Sequence, residues 1–332
     1  MTVMARLSGG RFLLMGRAGM DFYADPPGTA AEHASRFVAH LGGSSANVAV
    51  ALARQGMRAA LLTSVSDDAV GRFCVNQLRH YGVGTDHVRV VKGEARTSLA
   101  VAESRADDYQ CVIYRNNAAD FAIGVADVEA VDFAAHDAFA LTGTALAAEP
   151  SRSAALRALE LAQRAGIPTI IDLDYRPYSW TSPEVAATIC ARAAARCDVV
   201  VGNDDEFDVL AGAGGRGYDA ARQIAATSAA IVIFKMGSRG SVTLCAGRVH
   251  DAGIFPVVAL KPAGAGDAFL GAVLAGLAQA RPLDECIRRG SAAAAIVVAR
   301  VGCAPAMPTT AEVDAFLADP AHRESSPGHA AA

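Results

Sequence analysis

The stretch KPAGAGDAFLGAVLAGL spans Lys261–Leu277 and joins a glycine-rich turn to an apolar run of small residues. Glycine lets a backbone come close to a ligand, and the apolar run predicts a helix that begins at the turn. The N–H groups of the turn would then lie at a helix N-terminus, which favours an anion. Asp267 ends the turn. Because a negative charge repels phosphate, an aspartate here does not suit a group that only holds phosphate. It suits a base that deprotonates a hydroxyl, which then attacks the phosphate. An ordinary strand–helix turn with an aspartate N-cap has the same pattern, so the turn alone leaves both interpretations open.

Composition limits the classes of protein that this chain can form. The 332 residues support one large domain or two modest ones, and 52% of them are hydrophobic, enough for a sizeable core. Charged residues make up 19% and the net charge is -4, so we expect no nucleic-acid partner. No apolar run reaches the ~18 residues of a membrane span, and no signal peptide is evident. The seven cysteines are scattered and form no CxxC motif. This pattern indicates reduced cysteines in the core of a cytoplasmic protein.

Short apolar segments alternate with helical segments along most of the chain. The predicted strands lie at residues 12–15, 59–63, 138–141, 168–173, 198–202 and 230–234, and the predicted helices at 47–55, 70–81, 151–165 and 184–195. Continuous apolar strands that alternate with helices indicate βαβ units. The prediction is therefore an α/β fold whose parallel sheet is covered on both faces.

Two regions depart from this alternation. Residues 98–104 and 110–115 alternate between apolar and polar and predict an antiparallel hairpin, whereas residues 22–38 are irregular and poor in helix signals. Together they predict a small β element that lies over the edge of the main sheet. Residues 319–332 are rich in Pro, Ser, Gly, His and Ala and are expected to form a disordered tail.

Two further polar segments have both a functional and a structural interpretation. Gly42 and Gly43, followed by Asn47, could contact a polyhydroxyl ligand, or could form a flexible loop with a capped helix. Asn203–Glu206, NDDE, follows a buried strand, where ligands bind in parallel sheets. Its acids could hold Mg²⁺ through water, or could complement the dipole of a helix.

Lysine and arginine side chains near predicted strand ends also have both a functional and a structural interpretation. The segment KMGSRGS at Lys235–Ser241 suits nucleotide phosphates or a hairpin turn. It lacks the P-loop ending, and no GxGxxG follows the first strand, which disfavours a dinucleotide-dependent oxidoreductase. Arg115 and Arg176 could clamp a carboxylate through their planar donor forks. Alternatively, these segments could form a solvated loop with local Arg–Asp pairs, for which Asp120, Asp172 and Asp174 are the nearby aspartates.

Taken in order, these segments resemble the ribokinase-like (PfkB) family of sugar kinases from about residue 12 to residue 316. Gly42, Gly43 and Asn47 resemble its N-terminal signature, and Lys261–Ala272 its C-terminal signature. The resemblance implies a three-layer α/β/α sandwich with a parallel-rich central sheet and a small β lid. It places the kinase domain at residues 10–318, with the lid at about 17–40 and 96–122. ATP, Mg²⁺ and a homodimer are implied as well.

The resemblance also assigns roles to individual residues. Asp267 matches the catalytic base, and Gly264, Ala265 and Gly266 form with it an anion hole for the transferring phosphoryl group. The nucleotide would be held by Asn203, Glu206, Lys235, Gly237 and Gly240, with Glu206 acting on Mg²⁺ through water. The sugar would be held by Asp21, Gly42, Gly43, Asn47, Arg115, Asp174 and Arg176.

Within the family, several segments resemble the branch that phosphorylates the terminal hydroxyl of 5-dehydro-2-deoxygluconate, a keto-sugar acid of myo-inositol catabolism. They are residues 65–73, 114–120, 142–146, 173–180 and 205–208. The branch that acts on 2-dehydro-3-deoxygluconate usually has Asn in the place of Asp174, so this chain is more similar to the first. Kinases of neutral sugars, and a non-catalytic sugar or nucleotide sensor, are the alternatives.

The turn departs from the wider family at its first two residues. Many members have Asp-Thr where this chain has Lys261 and Pro262, and that aspartate helps to bind a monovalent cation. A lysine cannot do so. We therefore expect the Lys261 ammonium to stand in for the cation and the enzyme to be independent of K⁺.

Overall fold

Seven strands pair in parallel within a nine-stranded sheet, in the order β13-β12-β11-β10-β9-β8-β1-β4-β5. The computed structural model describes residues 6–7, 9–212 and 216–328. The strands are β1 (Arg11–Met15), β2 (Gly19–Asp25), β3 (Arg36–Gly42), β4 (Arg58–Ser66), β5 (Val88–Val91), β6 (Ser98–Ala102), β7 (Cys111–Tyr114), β8 (Ala138–Thr142), β9 (Thr169–Asp172), β10 (Val199–Asn203), β11 (Ile231–Lys235), β12 (Ser241–Cys245) and β13 (Arg248–Ala252). The antiparallel β12 and β13 complete one edge of the sheet.

Helices cover both faces of this sheet. They are α1 (Ser44–Arg54), α2 (Ala69–His80), α3 (Val125–Glu129), α4 (Ser151–Arg164), α5 (Pro183–Ala194), α6 (Asp204–Ala211), α7 (Gly217–Thr227), α8 (Ala265–Ala278), α9 (Leu283–Val298) and α10 (Thr310–Ala318). Successive side chains of a strand point to opposite faces. Leu14 accordingly lies in the core shared with α1, α8 and α9, and Leu13 and Met15 in the core shared with α4 and α5. This arrangement confirms the predicted three-layer α/β/α sandwich.

A second sheet has four strands in the order β3-β2-β6-β7. The predicted hairpin is confirmed, because β6 and β7 pair antiparallel. Residues 22–38 are strand at both ends, in β2 and β3, and irregular between them as predicted; β2 and β3 pair along their whole length, with Met20 opposite Leu41. Cross-strand pairing thus supplies the order that local periodicity did not reveal. The two parts of the sheet come from chain segments separated by α1, β4, α2 and β5.

The C-terminal part of the chain packs against this framework. The helix α9 has 16 residues, and sequence analysis did not identify it. A Cβ at Gly290 would lie 2.8 Å from Val273 Cγ2, so the glycine allows α9 to approach α8 closely. After α10, Ser325 N donates a hydrogen bond to Ile254 O at 2.8 Å. Residues 329–332 of the predicted tail lie outside the described residues, and the predicted domain limits stay a prediction.

Candidate active site

A cavity of about 510 Å³ lies where the small sheet faces the carboxyl ends of the main parallel strands. Its lining comes from both sheets and from the loops around them. The lining residues are Arg17, Asp21, Tyr23, Gly43, Ser44, Asn47, Ala100, Tyr109, Cys111, Ile113, Asp172, Asp174, Arg176, Tyr178, Asn203, Glu206, Lys235, Pro262, Ala263, Gly264, Gly266, Asp267 and Cys303. Ligands of open α/β sheets bind at this position, so the topology places the site where the sequence motifs require it.

Asp267 lies in the first turn of α8 and faces this cavity. Burial raises the pKa of its carboxyl group to about 7, and the nearby charge of Asp174 acts in the same direction. The side chain of Asn47, from the first turn of α1, donates a hydrogen bond to Asp267 Oδ2 at 2.8 Å. In the described part of the chain the carboxylate has no ion-pair partner. A carboxyl group poised near neutral pH suits general-base chemistry.

The turn before Asp267 is shaped for an anion. Gly264 has a φ of 85°, a left-handed conformation that favours glycine, and its missing Cβ would lie 3.0 Å from Cys303 Sγ. A Cβ at Gly266 would lie 3.2 Å from Lys235 Nζ. The Lys235 ammonium therefore adjoins the N-terminus of α8. Backbone N–H groups, the helix dipole and one cation converge there. Ala265 is not part of the lining, although it begins α8.

Asn203 and Glu206 serve both as a helix cap and as part of the cavity. Asn203 Oδ1 accepts from Glu206 N at 2.8 Å, and Glu206 Oε2 accepts from Asn203 N at 2.8 Å, which forms a capping box for α6. Burial, with the charge of Asp172, raises the pKa of Glu206 to about 7. Among the described residues no group of three His, Cys, Asp or Glu side chains could cage a metal. Glu206 brings a carboxylate to the cavity lining, which suits Mg²⁺ held through water and phosphate.

Asp174 and Arg176 form an ion pair in the wall of the cavity. Their closest atoms, Arg176 Nη2 and Asp174 Oδ1, are 2.8 Å apart. Asp174 Oδ2 accepts hydrogen bonds from Ser44 Oγ and, at 3.1 Å, from Thr144 Oγ1. Burial alone would raise the pKa of Asp174, but Arg176 and Ser44 hold it below its usual value. The Asp174 side chain is thus an ionised acceptor, fixed on both of its oxygens.

Asp21 depends on the two glycines that precede α1. A Cβ at Gly42 would lie 2.1 Å from the Asp21 carboxylate, and a Cβ at Gly43 would lie 2.5 Å from Arg17 O. Gly43 also has a φ of 93°. Gly42 is therefore a neighbour of the site that makes room for Asp21, whereas Gly43 lines the cavity itself. Burial raises the pKa of Asp21 to about 6.

Arg115 does not reach the cavity. Its guanidinium forms an ion pair with Asp120, and both side chains are only 3% exposed. It also donates to Ser179 Oγ and Thr144 O, each at 3.1 Å, and lies over the ring of Phe121. The local Arg–Asp pairing that sequence analysis held open describes this site. The predicted carboxylate contact of Arg115 has no geometric support.

Gly237 and Gly240 also lie outside the cavity lining. They have φ values of 57° and 88° in the short turn between β11 and the antiparallel β12. A Cβ at Gly240 would lie 2.0 Å from Ala252 O. The hairpin interpretation of this segment therefore explains both glycines, and only Lys235 from this segment faces the cavity.

Sequence analysis missed several lining residues, among them Arg17, Tyr109, Tyr178 and Cys303. Arg17 had a usable signal, because it follows β1 by two residues and ligands bind after parallel strands. Tyr109 and Tyr178 are in loops whose folding back over the cavity depends on contacts distant in sequence.

Lys261 is fully buried beneath the glycine-rich turn. Its Nζ donates to Ala263 O and, at 3.4 Å, to Val297 O. Burial lowers the pKa of this lysine. The ammonium thus lies against backbone carbonyl oxygens of the turn and of the end of α9, with no carboxylate within ion-pair distance in the described residues.

Known proteins match this chain over nearly its whole length. The 5-dehydro-2-deoxygluconokinase of Geobacillus kaustophilus is 36% identical over 320 residues, which cover 95% of each chain. That of Photobacterium profundum is 36% identical over 302 residues, or 90% of this chain and 91% of its own. Within the described residues, no helix has the length and apolar character to cross a membrane.

Solved structures share the fold. A fructokinase with bound ATP from Xylella fastidiosa has a TM-score of 0.81 and 25% identity, covering 93% of this chain and 98% of its own. A PfkB protein from Polaromonas sp. JS666 has a TM-score of 0.79 and 27% identity, covering 92% of this chain and 100% of its own. The family described as pfkB family carbohydrate kinase matches residues 11–310. These matches confirm the resemblance found in the sequence: this chain belongs to the pfkB family of carbohydrate kinases.

Proposed function

We propose that this chain transfers the γ-phosphoryl group of ATP to the terminal hydroxyl of 5-dehydro-2-deoxy-D-gluconate and forms the 6-phosphate. The observation that carries the proposal is Asp267, a carboxylate that lines the cavity at a helix N-terminus, has no ion-pair partner in the part of the chain that the structure describes, and has a pKa of about 7. The choice of sugar rests on relatives named 5-dehydro-2-deoxygluconokinase at 34–36% identity.

Asp267 would accept the proton of the attacking hydroxyl. Asn47 holds the carboxylate through Oδ2 and so orients it toward the cavity. The N–H groups of Gly266 and Asp267, together with the Lys235 ammonium, lie where negative charge on the transferring group needs donors. A preorganised donor of this kind contributes about 3 kcal/mol to transition-state stabilisation. Asp21 and Asp174 also line the cavity and would be acceptors for sugar hydroxyl groups.

Mg²⁺ fits the acidic end of the site. Asn203 and Glu206 line the cavity and would hold the ion through water. When bound, the ion would neutralise charge on the phosphates. The pKa of Glu206, about 7, means that a nearby cation would favour its ionised form.

We extend the proposal to the setting of the enzyme: a homodimer in the cytoplasm that acts in myo-inositol catabolism, with neither nucleic acid nor membrane as partner. The dimer is supported by exposed apolar side chains on the edge strands of the small sheet, Phe37 and Val38 on β3 and Val112 and Tyr114 on β7. Unpaired edges with apolar side chains favour association. Sedimentation equilibrium of the full chain tests this, and a monomer at micromolar concentration would refute it.

A coupled ADP-release assay over a panel of acceptors tests the reaction. The panel contains 5-dehydro-2-deoxygluconate, 2-dehydro-3-deoxygluconate, fructose and ribose, and NMR of the product locates the phosphate. We expect the highest kcat/KM for the first acceptor, with phosphate on its terminal oxygen. Preference for 2-dehydro-3-deoxygluconate or for a neutral sugar would refute the substrate, and ADP release without any acceptor phosphorylated would refute the kinase reaction. Asp267→Asn is the matched inactive control.

A further inference from the structure

We propose that Arg17 binds the carboxylate of the sugar acid and is the residue that selects acidic over neutral acceptors. This inference rests on the proposed function, because it specifies how the same cavity recognises its substrate. Nothing in the motifs of the sequence pointed to Arg17.

The backbone directs this side chain into the cavity. β1 ends at Met15, and a Cβ on the next residue, Gly16, would lie 2.1 Å from Ser45 Oγ and 2.4 Å from Thr142 Oγ1. The chain therefore leaves the sheet in close contact with its neighbours. Arg17 is only 6% exposed, yet it lines the cavity. Its guanidinium is thus enclosed by protein and directed at the space that a ligand would fill.

The charge of Arg17 is not neutralised by a direct contact. In residues 6–7, 9–212 and 216–328 its guanidinium makes no ion pair within 4.0 Å, and its buried Nε has no hydrogen-bond partner. A buried charge of this kind destabilises a protein unless something pairs with it. A ligand anion would supply the missing acceptor, and a planar guanidinium suits both oxygens of a carboxylate.

The other two arginines that sequence analysis proposed are already paired. Arg115 is bound to Asp120 outside the cavity. Arg176 lies in the cavity but is bound to Asp174 at 2.8 Å. Arg17 is therefore the arginine of the cavity whose donor fork remains available, as far as the described residues extend.

The surroundings of Arg17 are those of the proposed sugar site. Its charge acts on Asp21 of the small sheet, on Tyr178 and on Asp174. Lys235 also interacts with Asp174, so the two cations lie on either side of a shared neighbour. An anion at Arg17 would thus lie beside Asp21 and Asp174, the proposed acceptors for sugar hydroxyl groups. A carboxylate of the acceptor fits this position.

The test compares Arg17→Met and Arg17→Lys with wild type on 5-dehydro-2-deoxygluconate, fructose and ATP. A charge-assisted hydrogen bond lost from a buried site corresponds to about 10- to 150-fold in affinity. We expect Arg17→Met to raise KM for the sugar acid by about that factor, with kcat/KM for fructose and KM for ATP nearly unchanged. Arg17→Lys keeps the positive charge but loses the two parallel donors of the guanidinium. Its KM for the acid should therefore rise less than that of Arg17→Met.

Arg72→Met is the matched control, because Arg72 is exposed on α2. The Tm of each variant, with and without ATP, establishes folding, and if Arg17→Met does not fold, the acid-to-fructose ratio is read from Arg17→Lys and Arg17→Gln. Equal losses on the acid and on fructose, or a selective rise in KM for ATP, would overturn the role of Arg17. A wild-type enzyme that does not phosphorylate the acid at all would overturn the proposed function instead.

Discussion

Two aspartates of this chain occupy opposite chemical environments. Asp120 is bound to the Arg115 guanidinium, and both side chains are almost completely excluded from solvent. Asp267 lines the cavity and is partly exposed there; within the described residues its carboxylate has only the amide of Asn47 as a hydrogen-bond partner, and its pKa rises to about 7. A buried carboxylate next to a cation contributes to structure, whereas one without a cation is unfavourable for stability and is available for chemistry.

The same distinction separates the arginines. Arg115 was predicted to hold a substrate carboxylate, but its guanidinium is bound to Asp120 outside the cavity. Arg17 was not predicted, yet it lines the cavity and makes no ion pair with any residue that the structure describes. An internal counter-charge thus accounts for Arg115, which is buried outside the cavity, but it does not exclude a residue from the site: Arg176 and Lys235 are each paired with an aspartate and still line the cavity.

The largest effect is expected at Asp267. Asp267→Asn retains the shape of the side chain and an acceptor for Asn47 but removes the base, so kcat should fall by about 10²- to 10⁴-fold. KM for ATP should change little, because the helix N-terminus and Lys235 remain. Steady-state kinetics with the preferred acceptor measure both constants. Near-normal turnover in this variant would remove Asp267 from the role of base.

Changes to the buried Arg115–Asp120 pair should lower the stability of the protein rather than its catalytic rate. Arg115→Met leaves the Asp120 carboxylate buried and uncompensated, which costs about 3–5 kcal/mol in the free energy of unfolding. Urea denaturation followed by circular dichroism measures this loss. Asp120→Asn together with Arg115→Met should recover part of it, because the double variant buries no charge. If Arg115→Met instead kept its stability and raised KM for the sugar acid, Arg115 would belong to the site after all.

The pH dependence of catalysis offers a milder way to test Asp267. Its pKa is about 7, raised from its ordinary value chiefly by burial, so the carboxylate that accepts the proton is lost as pH falls through 7. We expect kcat/KM to fall about tenfold per pH unit below that value. The pH–rate profile of the wild-type enzyme measures this fall in kcat/KM. A flat profile from pH 8 to pH 5 would exclude a raised pKa of the base.

Unfolding does not account for that loss. A carboxyl group whose pKa is higher in the folded state than in the unfolded state binds its proton more tightly when folded. Its contribution to stability therefore increases as pH falls from about 7 toward the unfolded value. Glu206, with a pKa of about 7, acts in the same direction. The Tm over this pH range is the control: these two groups raise it on acidification while activity falls.

Sequence alone predicts the parts of this protein that depend on local pattern. Apolar strands alternating with helices predicted the parallel sheet, and the glycine-rich turn at Gly264 predicted an anion site at the start of α8. The sequence does not predict which residue a charged side chain will contact. Arg115 has an aspartate five residues away, but whether Arg17 finds a partner among the described residues depends on contacts distant in sequence, which no local pattern encodes.

Close packing was equally hidden in the sequence. Gly42 looked like a ligand contact, but its role is to leave room for Asp21 on the neighbouring strand. Gly240 looked like part of a nucleotide loop, but it avoids a clash with Ala252 O. A glycine permits close approach of any atom, so the sequence cannot tell a ligand from a neighbouring chain segment.

Lys261 gives the smallest expected effect and the sharpest contrast with the unpaired Asp267. Its buried ammonium donates to Ala263 O and Val297 O, the type of oxygen that also surrounds a monovalent cation, and so places a fixed positive charge beneath the turn. We expect replacement of NaCl by KCl at constant ionic strength to change kcat by no more than about twofold, the size of a general salt effect. Lys261→Ala would vacate that position and should make activity respond to K⁺. Strong activation of wild type by K⁺ over Na⁺ would show that a bound cation, and not this lysine, stabilises the turn.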